Sequence, residues 1–187
     1  AVIQWLRDEM EFFVEASDSE ALAEASSDNG GVYFVPALTG LGAPHWDANA
    51  RGSIFGITRG TTKAHLTRAA LESICFQVND LLKCMDQDTE LPISTLRVDG
   101  GAAGNHLLLQ FQSDISGIKV HRPVTLESTS LGVTFLAGLG IGLWDMDFIT
   151  NHWQMDEEFN PVQEKEVVAH LLSQWDEAVK RTIGWHE

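Results

Sequence analysis

The residues whose types and spacing best suit a binding site lie between positions 96 and 105. An apolar run stops there at Asp99-Gly100-Gly101, and Asn105 follows. The apolar positions on either side predict a short buried strand, a tight glycine turn and then a helix. Glycine allows the backbone to approach a ligand closely because it has no Cβ, and the first N–H groups of a helix attract anions. A phosphate group is the natural occupant of such a turn, although the same pattern also occurs in turns that bind nothing.

Two other phosphate-binding motifs do not fit this stretch. A dinucleotide-binding turn has Gly-x-Gly-x-x-Gly, but Asp99 stands two positions before Gly101, where a glycine is required. The same motif has an acidic residue about 20 positions further on, whereas residues 119–121 are Lys-Val-His. The Gly-Lys-Ser/Thr of a P-loop occurs nowhere in the chain. Asp99 itself could hold metal-bound water or could only cap the turn.

The elements that must position this turn alternate between helix and strand. Apolar residues at helical spacing predict an amphipathic helix over residues 1–16, and a loop or short helix is expected over residues 17–30. Residues 31–36 and 53–57 are predicted as strands. The glycine- and proline-rich residues 39–51 between them predict an irregular loop with a structural role.

A long helix is predicted after the second strand, with Thr61 or Thr62 as its cap. His65, in its first turn, is expected to be a surface or capping side chain, because no His or Cys stands four residues later to complete a zinc site. The buried stripe expected at helical spacing is Leu66, Ala70, Ile74, Leu81 and Met85.

The helix behind the glycine turn is expected to end at Gly117. Residues 118–123 are predicted as the next strand, residues 128–130 as the cap of a further helix, and residues 145–158 as irregular. A last helix is predicted with Asn160 as its cap. Its expected buried face consists of Val167 or Val168, Leu171, Trp175, Ala178 and Ile183.

The composition indicates one globular domain, because 187 residues of which 44% are hydrophobic suffice for a core. A net charge of −15 argues against a surface for nucleic acid or anionic membrane, and no apolar run reaches the length of a membrane span. Cys75 and Cys84 lie on nearly opposite faces of the predicted long helix, which is typical of a reducing cytoplasm. Residues 1–10 already follow a helical pattern without a cap, so we expect the C-terminal part of a longer chain.

Three stretches resemble, in the right order, the FGGY family of carbohydrate kinases, which belongs to the superfamily of sugar kinases, Hsp70 and actin. Asp99-Gly100-Gly101-x-x-x-Asn105 is similar to the adenosine motif of that family. Residues 52–72, which contain Gly-x-Ile-x-Gly-Ile and then His-Leu-x-x-Ala-Ala-Leu-Glu, resemble its C-terminal signature. Residues 4–9 and 39–47 are most similar to the members that phosphorylate glycerol.

The resemblance implies an α/β fold of the RNase H-like, actin-like ATPase type, with a mixed β-sheet flanked by helices and one domain over residues 1–187. It also implies that ATP or ADP binds with Mg²⁺, with Gly100 and Gly101 near the phosphates and with Asn105 and Gln4 near the adenosine. No catalytic residue is expected in this chain, because the base, the metal-linked carboxylates and most polyol contacts of such kinases belong to the N-terminal half of the chain. Glycerol as substrate, a cytoplasmic location and a homo-oligomer of the full-length protein are implied in the same way.

Three alternatives stay open. The chain could be the C-terminal domain of another FGGY sugar or polyol kinase, a nucleotide-binding module that never had a catalytic half, or a structural α/β domain whose glycine turn binds nothing. The last alternative predicts that added bulk at Gly101 changes stability only. The isolated chain is expected to be inactive.

Overall fold

The computed structural model describes residues 1–89 and 92–185. The helices are α1 (Val2–Asp8), α2 (Asp18–Glu24), α3 (Lys63–Asp88), α4 (His106–Ser116), α5 (Ser128–Gly140), α6 (Met146–His152) and α7 (Lys165–Thr182). The strands are β1 (Tyr33–Val35), β2 (Ser53–Phe55), β3 (Thr95–Arg97), β4 (Lys119–Pro123) and β5 (Met155–Phe159). A short 3₁₀ helix, Gly101–Gly104, lies between β3 and α4.

The strands form two small sheets with helices packed against them. β1 and β2 pair antiparallel; β3 pairs parallel with β4, and β4 pairs antiparallel with β5. α3 packs against α1, α2, α4 and β1, and Phe76 in its middle stacks on Trp175 of α7 with ring centroids 5.0 Å apart. The predicted mixed sheet flanked by helices is confirmed.

α3 begins where the sequence predicts but buries a different set of residues. Thr62 is its cap, and the ring of His65 accepts the backbone N–H of Thr62 at 3.1 Å, so His65 is a capping residue as expected. The predicted stripe is wrong at its C-terminal end, because Leu81 is 43% exposed and Met85 is 55% exposed. No residue of α3 beyond Asp80 is buried, because its last two turns extend past the elements that pack on the rest of the helix.

The first helix is shorter than its apolar pattern predicts, because α1 ends at Asp8 rather than at residue 16. The backbone of Glu11 has a φ of 52°, which reverses the chain in the left-handed region. Phe12 and Phe13 thereby pack back onto the same apolar cluster as Leu6. Burial of these two rings on the body of the protein outweighs two further turns of helix.

Residues 145–158 are not irregular, because they contain α6 and most of β5. β5 is acidic and pairs with the basic strand β4. Its Glu158 accepts Lys119 at 3.0 Å and His121 at 2.8 Å, and Arg122 binds Glu157 at 2.7 Å. These cross-strand charge pairs stabilise a strand that its own residues do not predict.

The two predicted helix caps after residue 120 are also wrong. α5 begins at Ser128 with Glu127 in the cap position and without a side-chain cap bond. α7 begins at Lys165 rather than after Asn160, because Oδ1 of Asp114 accepts the backbone N–H groups of Val162 and Gln163 at 2.8 and 3.2 Å. A side chain from α4 therefore holds this segment as a turn before the helix.

Residues 39–51 form the irregular loop that the sequence predicts. Asp47 holds it together, because its carboxylate accepts the backbone N–H groups of Asn49, Ala50 and Gly184. These hydrogen bonds, above all the one from Gly184, lower the pKa of Asp47 from its usual value. The bond to Gly184 fastens the loop to the chain that follows α7.

Candidate functional site

The structure contains a cavity of about 550 Å³ where α1, α2, α3 and the glycine turn meet. Gln4, Gly101 and Asn105 all line it, so the fold brings together three of the four residues that the sequence singles out. Its apolar wall consists of Ile3, Leu71, Ile74 and Leu108. The volume falls within the range of small-molecule sites, about 300–1,000 Å³.

Two residues of the glycine turn, Gly101 and Ala102, line this cavity, and the backbone N–H groups of the turn are used unequally. Gly100 has a φ of 80° and donates its N–H to the carbonyl of Leu126 at 2.7 Å. Within the turn, Ala103 donates to Gly100 and Asn105 donates to Ala102. In residues 1–89 and 92–185, no acceptor is found for the N–H groups of Gly101 and Ala102, the first two residues of the 3₁₀ helix. Two adjacent N–H groups without an acceptor have the chemistry to bind an anion.

The two glycines of the turn have different roles. Gly100 needs to be glycine because its φ lies in the left-handed region. Gly101 has no such requirement, and a Cβ added there would meet no atom within 4 Å. The fold therefore has room for a Cβ at Gly101, and a side chain there would take up space at the cavity that Gly101 and Ala102 line.

The N-terminus of α4 does not serve as the anion site that the sequence predicts. Oε1 of Glu20, on α2, accepts the backbone N–H groups of His106 and Leu107 at 2.6 and 3.1 Å. Oδ1 of Asn105 accepts that of Leu108 at 2.8 Å. The protein supplies its own carboxylate to the positive end of this helix, so the open N–H groups are those of the turn in front of it.

Charged side chains around the cavity add little attraction for an anion. Glu15 and Glu20 line it, and its one basic lining residue is Arg7. The guanidinium of Arg7 is paired with the carboxylate of Asp8 at 2.6 Å. Backbone dipoles rather than side-chain cations must therefore attract any phosphate at the turn.

Metal ligands do not cluster in the part of the chain that the structure describes, and the buried thiol is not activated. Residues 1–89 and 92–185 contain no group of three His, Cys, Asp or Glu side chains that could hold a metal ion. Asp99 is exposed beside the turn but does not line the cavity. Cys75 is buried and Cys84 is half-buried, and neither forms a disulfide. Burial raises the pKa of the Cys75 thiol well above its usual value, which makes it unreactive.

Sequence reasoning missed two contributors to the site. Glu20 is one of several carboxylates in a polar stretch, and its bond to α4 spans 86 residues of sequence. Ala102 contributes its backbone N–H group, and its side chain gives no sign of that role. The alternation of strand, glycines and helix could have indicated Ala102, whereas nothing local distinguishes Glu20 from its acidic neighbours.

The comparisons with known sequences agree on one family. The model of the C-terminal domain of the FGGY family of carbohydrate kinases matches residues 1–141. A glycerol kinase of Parabacteroides distasonis is 55% identical over all of this chain, and glycerol kinase 2 of Thermotoga maritima is 50% identical. This chain spans 38% of the length of each of these relatives.

The comparisons with solved structures point the same way. The structure of Plasmodium falciparum glycerol kinase with ADP superposes with a TM-score of 0.85 and 35% identity over 96% of this chain and 36% of that one. A ligand-bound xylulose kinase of Lactobacillus acidophilus gives a TM-score of 0.75 and 27% identity over 96% of this chain and 36% of that one. The expected actin-like ATPase fold is confirmed by these kinases. None of the helices in the described residues has the length and apolar character that a membrane span needs.

Proposed function

Because the chain belongs to the FGGY family of carbohydrate kinases, we propose that it is the nucleotide-binding part of an ATP-dependent glycerol kinase. The transfer of a phosphoryl group from ATP to glycerol is the activity of the whole enzyme. Glycerol as the substrate is supported by the two named relatives, which are 55% and 50% identical to this chain. This chain spans 38% of their length, so a longer chain is part of the proposal.

The observation that carries the proposal is the pair of open N–H groups at Gly101 and Ala102 inside the cavity of about 550 Å³. We assign the phosphates of ATP or ADP to these groups and the adenosine to the wall with Asn105 and Gln4. Oδ1 of Asn105 accepts the backbone N–H of Leu108 at 2.8 Å as the cap of α4, and this bond fixes the Asn105 side chain at the wall. The similarity to a glycerol kinase structure with ADP supports this placement.

The chemical step needs more than this part of the chain offers. Phosphoryl transfer to a hydroxyl requires a base near that hydroxyl, metal ions on the phosphates and fixed donors around the nucleotide. Under the proposal the described residues supply the donors, and they contain no cluster of three metal ligands. Mg²⁺, when bound, neutralises charge on the phosphates. Under the proposal its protein ligands and the base come mainly from the preceding part of the chain.

The surface of α5 supports the existence of such a preceding part. Residues 128–144 carry no charge, yet of α5 only Gly138 is buried, beneath the ring of Trp144. Val133 is 64% exposed and Leu136 is 69% exposed. An apolar helix of this kind is stable in water when another surface covers it. We assign that cover to the N-terminal domain, whose closure over the nucleotide would exclude water. A cytoplasmic location and a homo-oligomeric full-length enzyme belong to the same proposal.

The test is a chimaera in which this chain replaces the C-terminal 38% of the Parabacteroides distasonis glycerol kinase. We expect ATP-dependent formation of glycerol phosphate, because under the proposal this chain supplies the nucleotide-binding part of the enzyme. Gly101→Val should abolish turnover, whereas Gly60→Val should not, because Gly60 is an exposed glycine without positive φ that lies outside the cavity. A folded chimaera that forms no glycerol phosphate, or one that keeps full activity with Gly101→Val, would contradict the proposal.

A further inference from the structure

A second cavity of about 320 Å³ lies on another side of α4 and shares no lining residue with the first. Four parts of the chain converge on it: the turn after α2, the first half of α3, α4, and the start of α7 with the turn before it. It reaches the size of small-molecule sites, about 300 Å³ and above. The nucleotide proposal leaves this cavity unused.

The inner part of this cavity is apolar. Ile115 is buried, and Phe111, Val168 and Leu171 are half-buried. These side chains form one side of the cavity, and they would cover the hydrocarbon body of a ligand. Burial of such a body supplies most of the affinity of a small molecule in a site of this kind.

The polar part of the cavity carries an excess of negative charge. Glu72 is 5% exposed and is neutralised by Arg68, whose Nε lies 3.0 Å from its Oε1. Asn29 donates to the other oxygen of Glu72 at 2.7 Å. Arg68 is the one Lys or Arg among the described residues that line the cavity, so it leaves the carboxylates of Asp28 and Asp114 there without a lining cation.

Asp114 is the better placed of these two carboxylates. Its Oδ1 accepts three hydrogen bonds, from Gln110 and from the backbone of Val162 and Gln163. Those bonds fix the carboxylate in the wall between α4 and the turn before α7. In residues 1–89 and 92–185, no donor is found for Oδ2, so one oxygen remains for a ligand. A positioned carboxylate beside an apolar surface recognises an ammonium group with a hydrocarbon body.

We propose that this second cavity is a binding site for small primary amines, with the ammonium group on Asp114 and the hydrocarbon body on Phe111, Ile115 and Leu171. The site is separate from the nucleotide cavity. Its occupancy does not depend on the kinase function proposed above, because the two cavities share no residue.

The test uses the 187-residue chain and 2-phenylethylammonium as the probe, followed by NMR, in which a dispersed amide spectrum also shows that each variant is folded. We expect the amides of α4 and α7 at the cavity to shift with a Kd of about 1 mM, as nine heavy atoms allow. Two compounds with similar bodies, 2-phenylethanol and 3-phenylpropionate, should bind at least about fivefold more weakly, because the alcohol donates only a neutral hydrogen bond and the anion is repelled by the carboxylate. Saturating Mg·ADP should leave the probe in place.

Two variants and a control complete the test. Asp114→Asn keeps an acceptor oxygen for the turn but removes the charge, and it should weaken the probe about five- to tenfold. Val168→Trp should fill the cavity and abolish binding. Ala169→Trp, on the exposed side of the same helix, should change nothing. Three results would each overturn the proposal. They are equal binding of the alcohol and the amine, displacement of the amine by ADP, and unchanged binding to a folded Val168→Trp variant.

Discussion

Glu20 gives the sharpest test of how the nucleotide cavity is built. Its carboxylate accepts the N–H groups of His106 and Leu107 at 2.6 and 3.1 Å and places a negative charge at the N-terminus of α4. Glu20→Ala removes both bonds and the charge. The two N–H groups lie where water can reach them, since His106 is exposed and Leu107 is half-buried, so the full cost of burying unpaired donors does not apply.

The expected magnitude follows from these contacts. Hydrogen bonds to a charged group contribute about 1.5–3 kcal/mol when water is excluded, and a carboxylate at a helix N-terminus contributes about 0.3–1 kcal/mol at the surface. For this partly hydrated pair we expect Glu20→Ala to lower the free energy of unfolding by about 2 kcal/mol. With an m-value of about 2 kcal/mol/M, the urea midpoint falls by about 1 M. Glu20→Gln keeps an acceptor oxygen and should lose less than half of this.

The assay is urea denaturation of the chain, followed by circular dichroism. Glu24→Ala is the control for the removal of an exposed glutamate from the same helix. Because Glu20 lies in the first turn of α2 and Glu24 at its end, the dipole of α2 adds about 0.3–1 kcal/mol per residue to the difference. The Glu20→Ala midpoint should lie about 1 M below that of the control. Equal midpoints for Glu20→Ala and Glu24→Ala would refute the assignment of Glu20 as the residue that holds the start of α4.

Three further predictions concern stability. Gly100→Ala should lower the free energy of unfolding by about 1–2 kcal/mol, because its φ of 80° strains any other residue; an unchanged urea midpoint would contradict this. Lys119, with Asn160 and His121, lowers the pKa of Glu158 from 4.5 to about 2, so this carboxylate stabilises the fold above pH 4.5 and that stability is lost as the pH falls toward 2. The destabilisation caused by Lys119→Ala should therefore be present at pH 7 and disappear near pH 2, and a pH-independent loss would contradict it. Asp80→Ala should cost about 1–3 kcal/mol, because it removes the acceptor of the Trp175 indole N–H at 2.8 Å; Trp175→Phe in the same background should then cost less than it does alone.

Local sequence signals predicted the features that depend on near neighbours. Residue type and position predict a cap at Thr61 or Thr62, of which the structure uses Thr62, and they predict Gly117 at the end of α4, where it is left-handed. The strand, glycine turn and helix around Gly101 follow from apolar spacing. The fold at large followed from the order of three motifs rather than from composition.

The features that were missed depend on contacts between distant parts of the chain. α1 ends early because burial of the Phe12 and Phe13 rings against the core stabilises the fold more than two further turns of helix would. β5 is acidic and forms only because a basic strand lies beside it. The start of α7 is set by Asp114, 48 residues before the first backbone group that it binds. Glu20 likewise binds backbone N–H groups at the start of α4, 86 residues further along the chain. No short stretch of sequence contains both partners.

The measurement that tests the central claim most directly is a titration of the 187-residue chain with Mg·ADP, followed by backbone amide resonances. The account predicts the largest shifts at Gly101 and Ala102, smaller shifts at Asn105 and Gln4, and none with NAD. Gly101→Val should weaken ADP binding at least about tenfold while leaving the urea midpoint within about 0.5 M, because its side chain enters open space. A folded chain whose turn amides do not respond to millimolar ADP, or a Gly101→Val variant that binds ADP as the parent chain does, would contradict the assignment of this turn to the phosphates.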